Sequence, residues 1–319
     1  MSREESPIVR PVSPDEGYNW MHRAFLQAFM THNVMTADEM KPILAHVITA
    51  HSMSLSPHAP PSPPDTSTLP DPDRPWTAGD ITQPQITNTL QLINAQIEPY
   101  DFEIRSIRNQ QTKLTTYAFV NKTSDSLTQL ATKFSPSEIA YIRRVLDHMF
   151  EVNNTHTREV MAVKHTVASQ LARPSRRSRQ SQINGDADGE TSQATVDAGI
   201  SIQEADAVLD TLVAQSFFQK SRAGYYALAP RGLMELTPYL KETYNDDDDD
   251  PDDVIIRIRD CEGCREIVTY GVRCNNRDCG VRWHDACANS YYRGRARDQR
   301  GCPKCGTVCE GMCMWGEGG

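Results

Sequence analysis

The sequence predicts an α+β chain: two similar units of three helices, each closed by a β-hairpin, and then a short cysteine-rich module. Three observations carry this. Helix-start signals recur with amphipathic spacing behind them. The order helix, helix, long insert, helix, hairpin occurs twice. All nine cysteines fall between residues 261 and 313.

The helix starts are capping boxes. A Ser or Thr followed three residues later by Glu or Gln satisfies two orphan amides at a helix entrance. Such pairs occur as Ser13 with Glu16, Thr36 with Glu39, Thr82 with Gln85, Ser135 with Glu138 and Ser201 with Glu204. Pro14 and Pro136 fall at the first helical position, where the missing N–H costs nothing. Apolar residues then recur at helical spacing: Met21, Phe25 and Phe29; Met40, Ile43, Leu44 and Val47; Ile86, Leu90, Ile93 and Ile97; Ile139, Ile142, Leu146 and Phe150; Ala205, Val208, Leu209 and Leu212. Val160, Val163, Val167 and Leu171 suggest one further helix.

Each set ends in a hairpin. Phe102 and Ile104 alternate with polar residues, as do Tyr117 and Phe119 beyond a polar turn near residues 109–112. Phe217 and Phe218 precede a turn at Lys220–Gly224, and Tyr225, Tyr226 and Leu228 follow it. Gly224 suits a turn position with positive φ. Ser135 lies 122 residues after Ser13, and Ser201 lies 119 after Thr82. The near-constant offset indicates two copies of one architecture. Three helices with a two-stranded hairpin make a winged helix. A last helix carrying Leu233, Leu236 and Leu240 behind Pro230 is expected to pack on the second copy.

The cysteine-rich module reads C-x2-C-x9-C-x4-C-x4-H-x2-C-x14-C-x2-C, with Cys261, Cys264, Cys274, Cys279, His284, Cys287, Cys302 and Cys305 in order. Zinc takes four tetrahedral ligands from thiolate sulfur and imidazole nitrogen, and each short pair is half a site. Four halves make two zinc sites, paired either sequentially or in alternation. A disulfide scaffold needs an oxidising compartment, and Met-Ser-Arg-Glu-Glu-Ser-Pro is not a secretory signal. An iron–sulfur set of Cys302, Cys305, Cys309 and Cys313 would strand Cys274 and Cys279. The module has too few large apolar residues for a core of its own, so its folding is expected to depend on metal.

Composition excludes several functions. The chain has 319 residues and a net charge of −9. An acidic chain is a poor nucleic-acid binder by itself. Residues 82–98 hold no Lys or Arg, and residues 201–216 hold acids and no base, so neither third helix suits a DNA groove. Direct DNA binding by the chain alone is therefore not expected. Arg293, Arg295, Arg297 and Arg300 beside Tyr291 and Tyr292 could grip a single strand, but read more simply as a solvated loop. No apolar run approaches the length of a membrane span. Polar stretches at 54–75, 173–199 and 245–253 read as linkers. The expected domains are residues 1–128 with a Pro-rich insert at about 51–80, residues 129–244 with a polar insert at about 173–199, an acidic spacer at 245–253, and a zinc module at 254–319.

The ligand ladder resembles the C4-H-C3 cross-brace of RING and PHD modules. That resemblance implies alternation, with Cys261, Cys264, His284 and Cys287 in one site and Cys274, Cys279, Cys302 and Cys305 in the other. Tandem winged helices before such a module resemble the family of non-structural maintenance of chromosomes element one, the RING-like subunit of the SMC five–six complex. Residues Ala205–Leu240 and Cys261–Cys305 carry it most strongly, around Arg282-Trp283-His284-Asp285-Ala286-Cys287. The resemblance implies a nuclear, chromosome-associated protein of DNA repair by homologous recombination. It implies docking of a MAGE-family winged-helix subunit and a kleisin, and RING-type ubiquitin-ligase activity. A conjugating enzyme would then touch Ile267, Val268, Trp283 and Pro303. Such a ligase has no nucleophile of its own and acts by orienting a thioester. Glu262-Gly263 between the first two cysteines and Gly306 after the last ligand depart from ordinary RING ligases, which implies that a partner completes the activity. The spacing also fits a PHD-type chromatin-peptide reader, although Arg300 stands where such modules often have tryptophan. A non-catalytic scaffold subunit is the third reading.

Overall fold

The computed structural model describes residues 17–55, 74–122, 133–155, 158–174, 198–246, 255–276, 278–296, 299–308 and 313–315. The capping box at Ser13 with Pro14, most of the three linkers, Cys309 and Arg297 lie outside them. The described residues fall into two compact units. One lies within Met1–Ser106 and Thr115–Lys122, the other within Ile107–Leu114 and Thr123–Gly319.

In the first unit, α1 (Trp20–His32) begins at Asn19, whose side chain accepts from Met21 N–H at 3.0 Å. A short strand, β1 (Val34–Thr36), leads into α2 (Ala37–Leu55). Thr36 N–H donates to Glu39 Oε2 at 2.7 Å, the expected capping pair. Helix α3 (Gln83–Ile97) starts at Thr82, paired with Gln85 as expected. Strands β2 (Phe102–Arg108) and β3 (Thr115–Asn121) form the hairpin, whose tip, Ile107–Leu114, groups with the second unit, and the sheet order is β1-β3-β2. Phe25, Phe29, Met40, Leu44, Ile86 and Ile93 are fully buried on the facing helix stripes, joined by Ile104 and Tyr117 from the sheet. Burying each such side chain contributes about 1.5–3 kcal/mol.

The second copy repeats this order. Helix α4 (Pro136–Asp147) is capped by Ser135 with Glu138, and a π-helical turn, His148–Val152, extends it. Strand β4 (Ala162–Lys164) precedes α5 (His165–Gln170), and α6 (Ile202–Ala214) is capped by Ser201 with Glu204. Strands β5 (Phe218–Lys220) and β6 (Tyr225–Leu228) close it, in the order β4-β6-β5. Gly224 has φ +80°, as its turn position requires. Helix α7 (Pro230–Tyr244) buries Leu233, Leu236 and Leu240. Tyr141, in the core, donates its hydroxyl to Ala168 O at 3.1 Å, and burial holds the phenol well above its usual range.

Two expectations need correction. Val160, Val163, Val167 and Leu171 do not share a helix, because Val163 pairs with Tyr226 in a strand and the helix starts only at His165. A β-branched residue at helical spacing also fits a strand, and the sheet partner decides. Residues 245 and 246, read as spacer, form β7 (Asn245–Asp246) against β8 (Ile255–Ile256). Asn245 accepts from Arg257 and Ile258 N–H through Oδ1 and donates to Ile258 O.

Candidate metal centre

The cysteine-rich module is built on two matching turns. Cys261 O accepts from Arg265 N–H at 2.9 Å, and Cys302 O accepts from Gly306 N–H at 3.0 Å. In both turns the fifth residue has positive φ, +62° at Arg265 and +72° at Gly306. Each turn therefore points its two sulfurs to one side. Between them, β9 (Gly271–Arg273) pairs with β10 (Arg282–Trp283) and with β11 (Cys313–Trp315). The pairing is close: a Cβ on Gly271 would stand 2.1 Å from Trp283 O. Strand β10 delivers His284, and α8 (Asp285–Tyr291) follows it and carries Cys287.

The eight expected donors converge in two sets. Cys261, Cys264, His284 and Cys287 form one, and Cys274, Cys279, Cys302 and Cys305 the other, with donor atoms within 4.8 Å of one another in each. Tetrahedral zinc with Zn–S near 2.3 Å places ligand sulfurs about 3.8 Å apart. Cys274 Sγ lies 3.5 Å from Cys305 Sγ, and Cys279 Sγ lies 3.7 Å from Cys302 Sγ. In the first set His284 Nδ1 stands 3.2 Å from Cys264 Sγ, while Nε2 faces Ile267 O at 3.1 Å. A ligating histidine characteristically gives its other N–H to such a carbonyl, which fixes the tautomer. Both sets fit a tetrahedral metal.

Electrostatics support a cation. Burial pushes the Cys261 thiol up, but hydrogen bonds from His284 and from main-chain N–H groups outweigh it and bring the thiol down to about 6. Burial and the neighbouring Cys261 and Cys264 charges push Cys287 up to about 12. Burial also raises Cys264, Cys274 and Cys279. Clustered thiols cannot all ionise beside one another, and a divalent ion reverses that. With four protein donors each, the sets leave no open position for a substrate, which is the arrangement of a structural metal.

A buried ion cluster ties the module to the rest of the second unit. Arg282 is 3% exposed and donates through Nη1 to Cys279 O and Val281 O, both at 2.8 Å. Its Nε reaches Glu159 Oε2 at 2.9 Å, and its Nη2 also pairs with Glu159. Arg273 Nη1 lies 3.4 Å from the same carboxylate. Sequence reading missed Glu159, a lone acid on a loop more than a hundred residues before its partner.

The residues that the resemblance implies for a conjugating-enzyme surface differ in exposure. Ile267, Val268 and Trp283 are buried, with 2%, 0% and 3% exposed, and only Pro303 is exposed. Trp283 packs against Tyr291 with ring centroids 4.8 Å apart, so its hydrophobic face is already used. The same holds for the aromatic-basic stretch. Tyr292 is buried, and Arg295 lies over the Tyr291 ring at 4.9 Å.

A module of two interleaved Cys/His sets behind a repeated helix-and-hairpin architecture is of the RING-like class. Residues 261–305 match the model of a RING-like domain. Residues 22–236, more than half of the chain, match a family described as the Nse1 non-SMC component of the SMC5-6 complex. The chain belongs to the Nse1 family. It is 23% identical over 285 residues to the human non-structural maintenance of chromosomes element 1 homolog, covering 89% of this chain and 82% of the relative. It is 21% identical over 291 residues to the Xenopus laevis homolog, covering 90% and 82%. A Schizosaccharomyces pombe relative is 21% identical over 203 residues, covering 63% and 70%. A solved chain from an Nse1-Nse3-Nse4 complex shares the fold with TM-score 0.59 at 20% identity, over 93% of this chain and 97% of that one.

Proposed function

We propose that this chain is the RING-like subunit of an SMC5–6-type chromosome complex. In this reading it binds two zinc ions through the eight converging residues. Its two helix-and-hairpin units act as winged helices that dock an Nse3-type MAGE subunit and an Nse4-type kleisin. It works in the nucleus, in DNA repair, and supports ubiquitin transfer as a partner-dependent RING-type ligase. The alternation of two complete donor sets behind an Nse1-family region carries this reading. Zinc would fix the module's shape, and the module would orient a conjugating enzyme rather than supply bond chemistry.

The test has two parts. Co-expression with Nse3- and Nse4-type subunits should yield a stable three-chain complex. That complex should speed discharge of ubiquitin from a charged conjugating enzyme. A stable complex with no discharge across a panel of conjugating enzymes would leave a scaffold. That second reading is favoured by the burial of Ile267, Val268 and Trp283.

A further inference from the structure

Residues 109–114 form a hydrogen-bonded turn. Asn109 Oδ1 accepts from Gln111 N–H at 3.0 Å and Thr112 N–H at 2.9 Å. Asn109 N–H donates to Leu114 O, and Lys113 N–H to Asn109 O, with Lys113 at φ +64°. The turn presents Gln110, whose side-chain amide is fully engaged by one segment of the zinc module. Its Nε2 donates to Ile267 O at 2.8 Å. Its Oε1 accepts from Thr269 N–H at 2.9 Å, Tyr270 N–H at 2.9 Å and Thr269 Oγ1 at 3.2 Å. Only one orientation of the amide satisfies a carbonyl on one side and three donors on the other.

Ile267 O is also the acceptor for His284 Nε2. Gln110 and the ligand histidine therefore meet at one carbonyl oxygen. The same turn has a second contact beside that ligand, Lys113 Nζ at 3.8 Å from Asp285 Oδ2. Asp285 directly follows His284, and its other oxygen, Oδ1, is buried and accepts no hydrogen bond from the described residues.

We propose that Gln110 is a positioning residue of the Cys261/Cys264/His284/Cys287 site, and that the seating of the 109–114 turn is linked to metal occupancy of that site. The inference rests on the zinc reading above and goes beyond it. Gln110 pins the 267–270 segment from both ends, which holds Ile267 O where His284 needs its acceptor. Outer partners of ligating histidines typically alter metal affinity about 10–100-fold. By linkage, whatever the turn adds to metal affinity, the metal returns to the seating of the turn. The Cys274/Cys279/Cys302/Cys305 site has no histidine and makes no hydrogen bond with Gln110 among the described residues.

The experiment uses the full chain loaded with cadmium-113. NMR should show one three-sulfur, one-nitrogen resonance and one four-sulfur resonance, and their decay on adding chelator is followed. Gln110→Ala should speed loss from the three-sulfur site about 10–100-fold and leave the four-sulfur site unchanged. Gln110→Glu keeps the acceptor for residues 269 and 270 but loses the donor to Ile267 O, and should behave like Gln110→Ala. Gln111→Ala is the control and should match wild type. Hydrogen exchange at residues 109–114 should slow on metal loading in wild type. Unchanged loss from the three-sulfur site in Gln110→Ala overturns the proposal, as does equal acceleration at both sites. If wild type shows no three-sulfur resonance, the zinc reading itself has failed, and that is visible before any variant is made.

Discussion

Glu159→Ala is the sharpest structural test of how the cysteine-rich module is held. The Glu159 side chain is 10% exposed, and its partners Arg282 and Arg273 are 3% and 12% exposed. An exposed ion pair is worth about 0–1 kcal/mol. Removing one partner of a buried pair costs about 3–5 kcal/mol, because the other charge stays buried. Arg282 keeps its bonds to Cys279 O and Val281 O, so the lower end, about 3 kcal/mol, is expected. Glu159 already has φ +45°, and alanine suffers a similar strain there, so backbone conformation does not confound the comparison. The assay is urea unfolding of the cobalt-loaded full chain, followed by the absorption of the cobalt–thiolate sites. With a slope of about 1–3 kcal/mol per molar urea, the midpoint should fall by about 1–3 M. A double-mutant cycle with Arg282→Met should show strong coupling. A loss below about 1 kcal/mol would mean that the pair behaves as a surface pair, and the description of a buried anchor would be wrong.

Gly271→Ala puts a Cβ 2.1 Å from Trp283 O; strain of this kind costs about 1–3 kcal/mol or more and should appear as a lower melting temperature of the loaded chain. Ser201→Ala removes the acceptor for Glu204 N–H at the start of α6 and should cost about 1 kcal/mol, read by thermal circular dichroism. Phe25→Ala empties a fully buried site and should cost about 3–5 kcal/mol in denaturant unfolding. Metal affinity should rise with pH. Cys287, raised to about 12, and Cys274, raised by burial, are protonated near neutrality without metal, so binding expels their protons. Calorimetry in buffers of different ionisation enthalpy should show proton release, and pH-independent affinity would contradict the assignment of thiolate ligands.

The helices were legible because their starts are chemical signals. At Thr36, Thr82, Ser135 and Ser201 the same side chains that mark the sequence cap the helix in the fold. The two hairpins were legible from alternation and from Gly224. The third strand of each sheet was not, because Val34–Thr36 and Ala162–Lys164 are three residues long and carry no period to detect. Their pairing with β3 and β6 is decided by tertiary contact. The two converging Cys/His sets were legible because short spacing is itself the geometry of a half-site. Gln110 and Glu159 were invisible, since each acts across more than a hundred residues through partners that only the folded chain brings near. The burial of Ile267, Val268 and Trp283 was not legible either, because it is set by elements that only the folded chain brings over them.

Zinc stoichiometry is the most direct measurement. Elemental analysis of purified full chain, combined with X-ray absorption at the zinc edge, should give two zinc ions per chain, with seven sulfur ligands and one nitrogen shared between them, as the eight converging donors require. One equivalent or none on folded protein, or oxygen ligands in place of sulfur, would contradict the account.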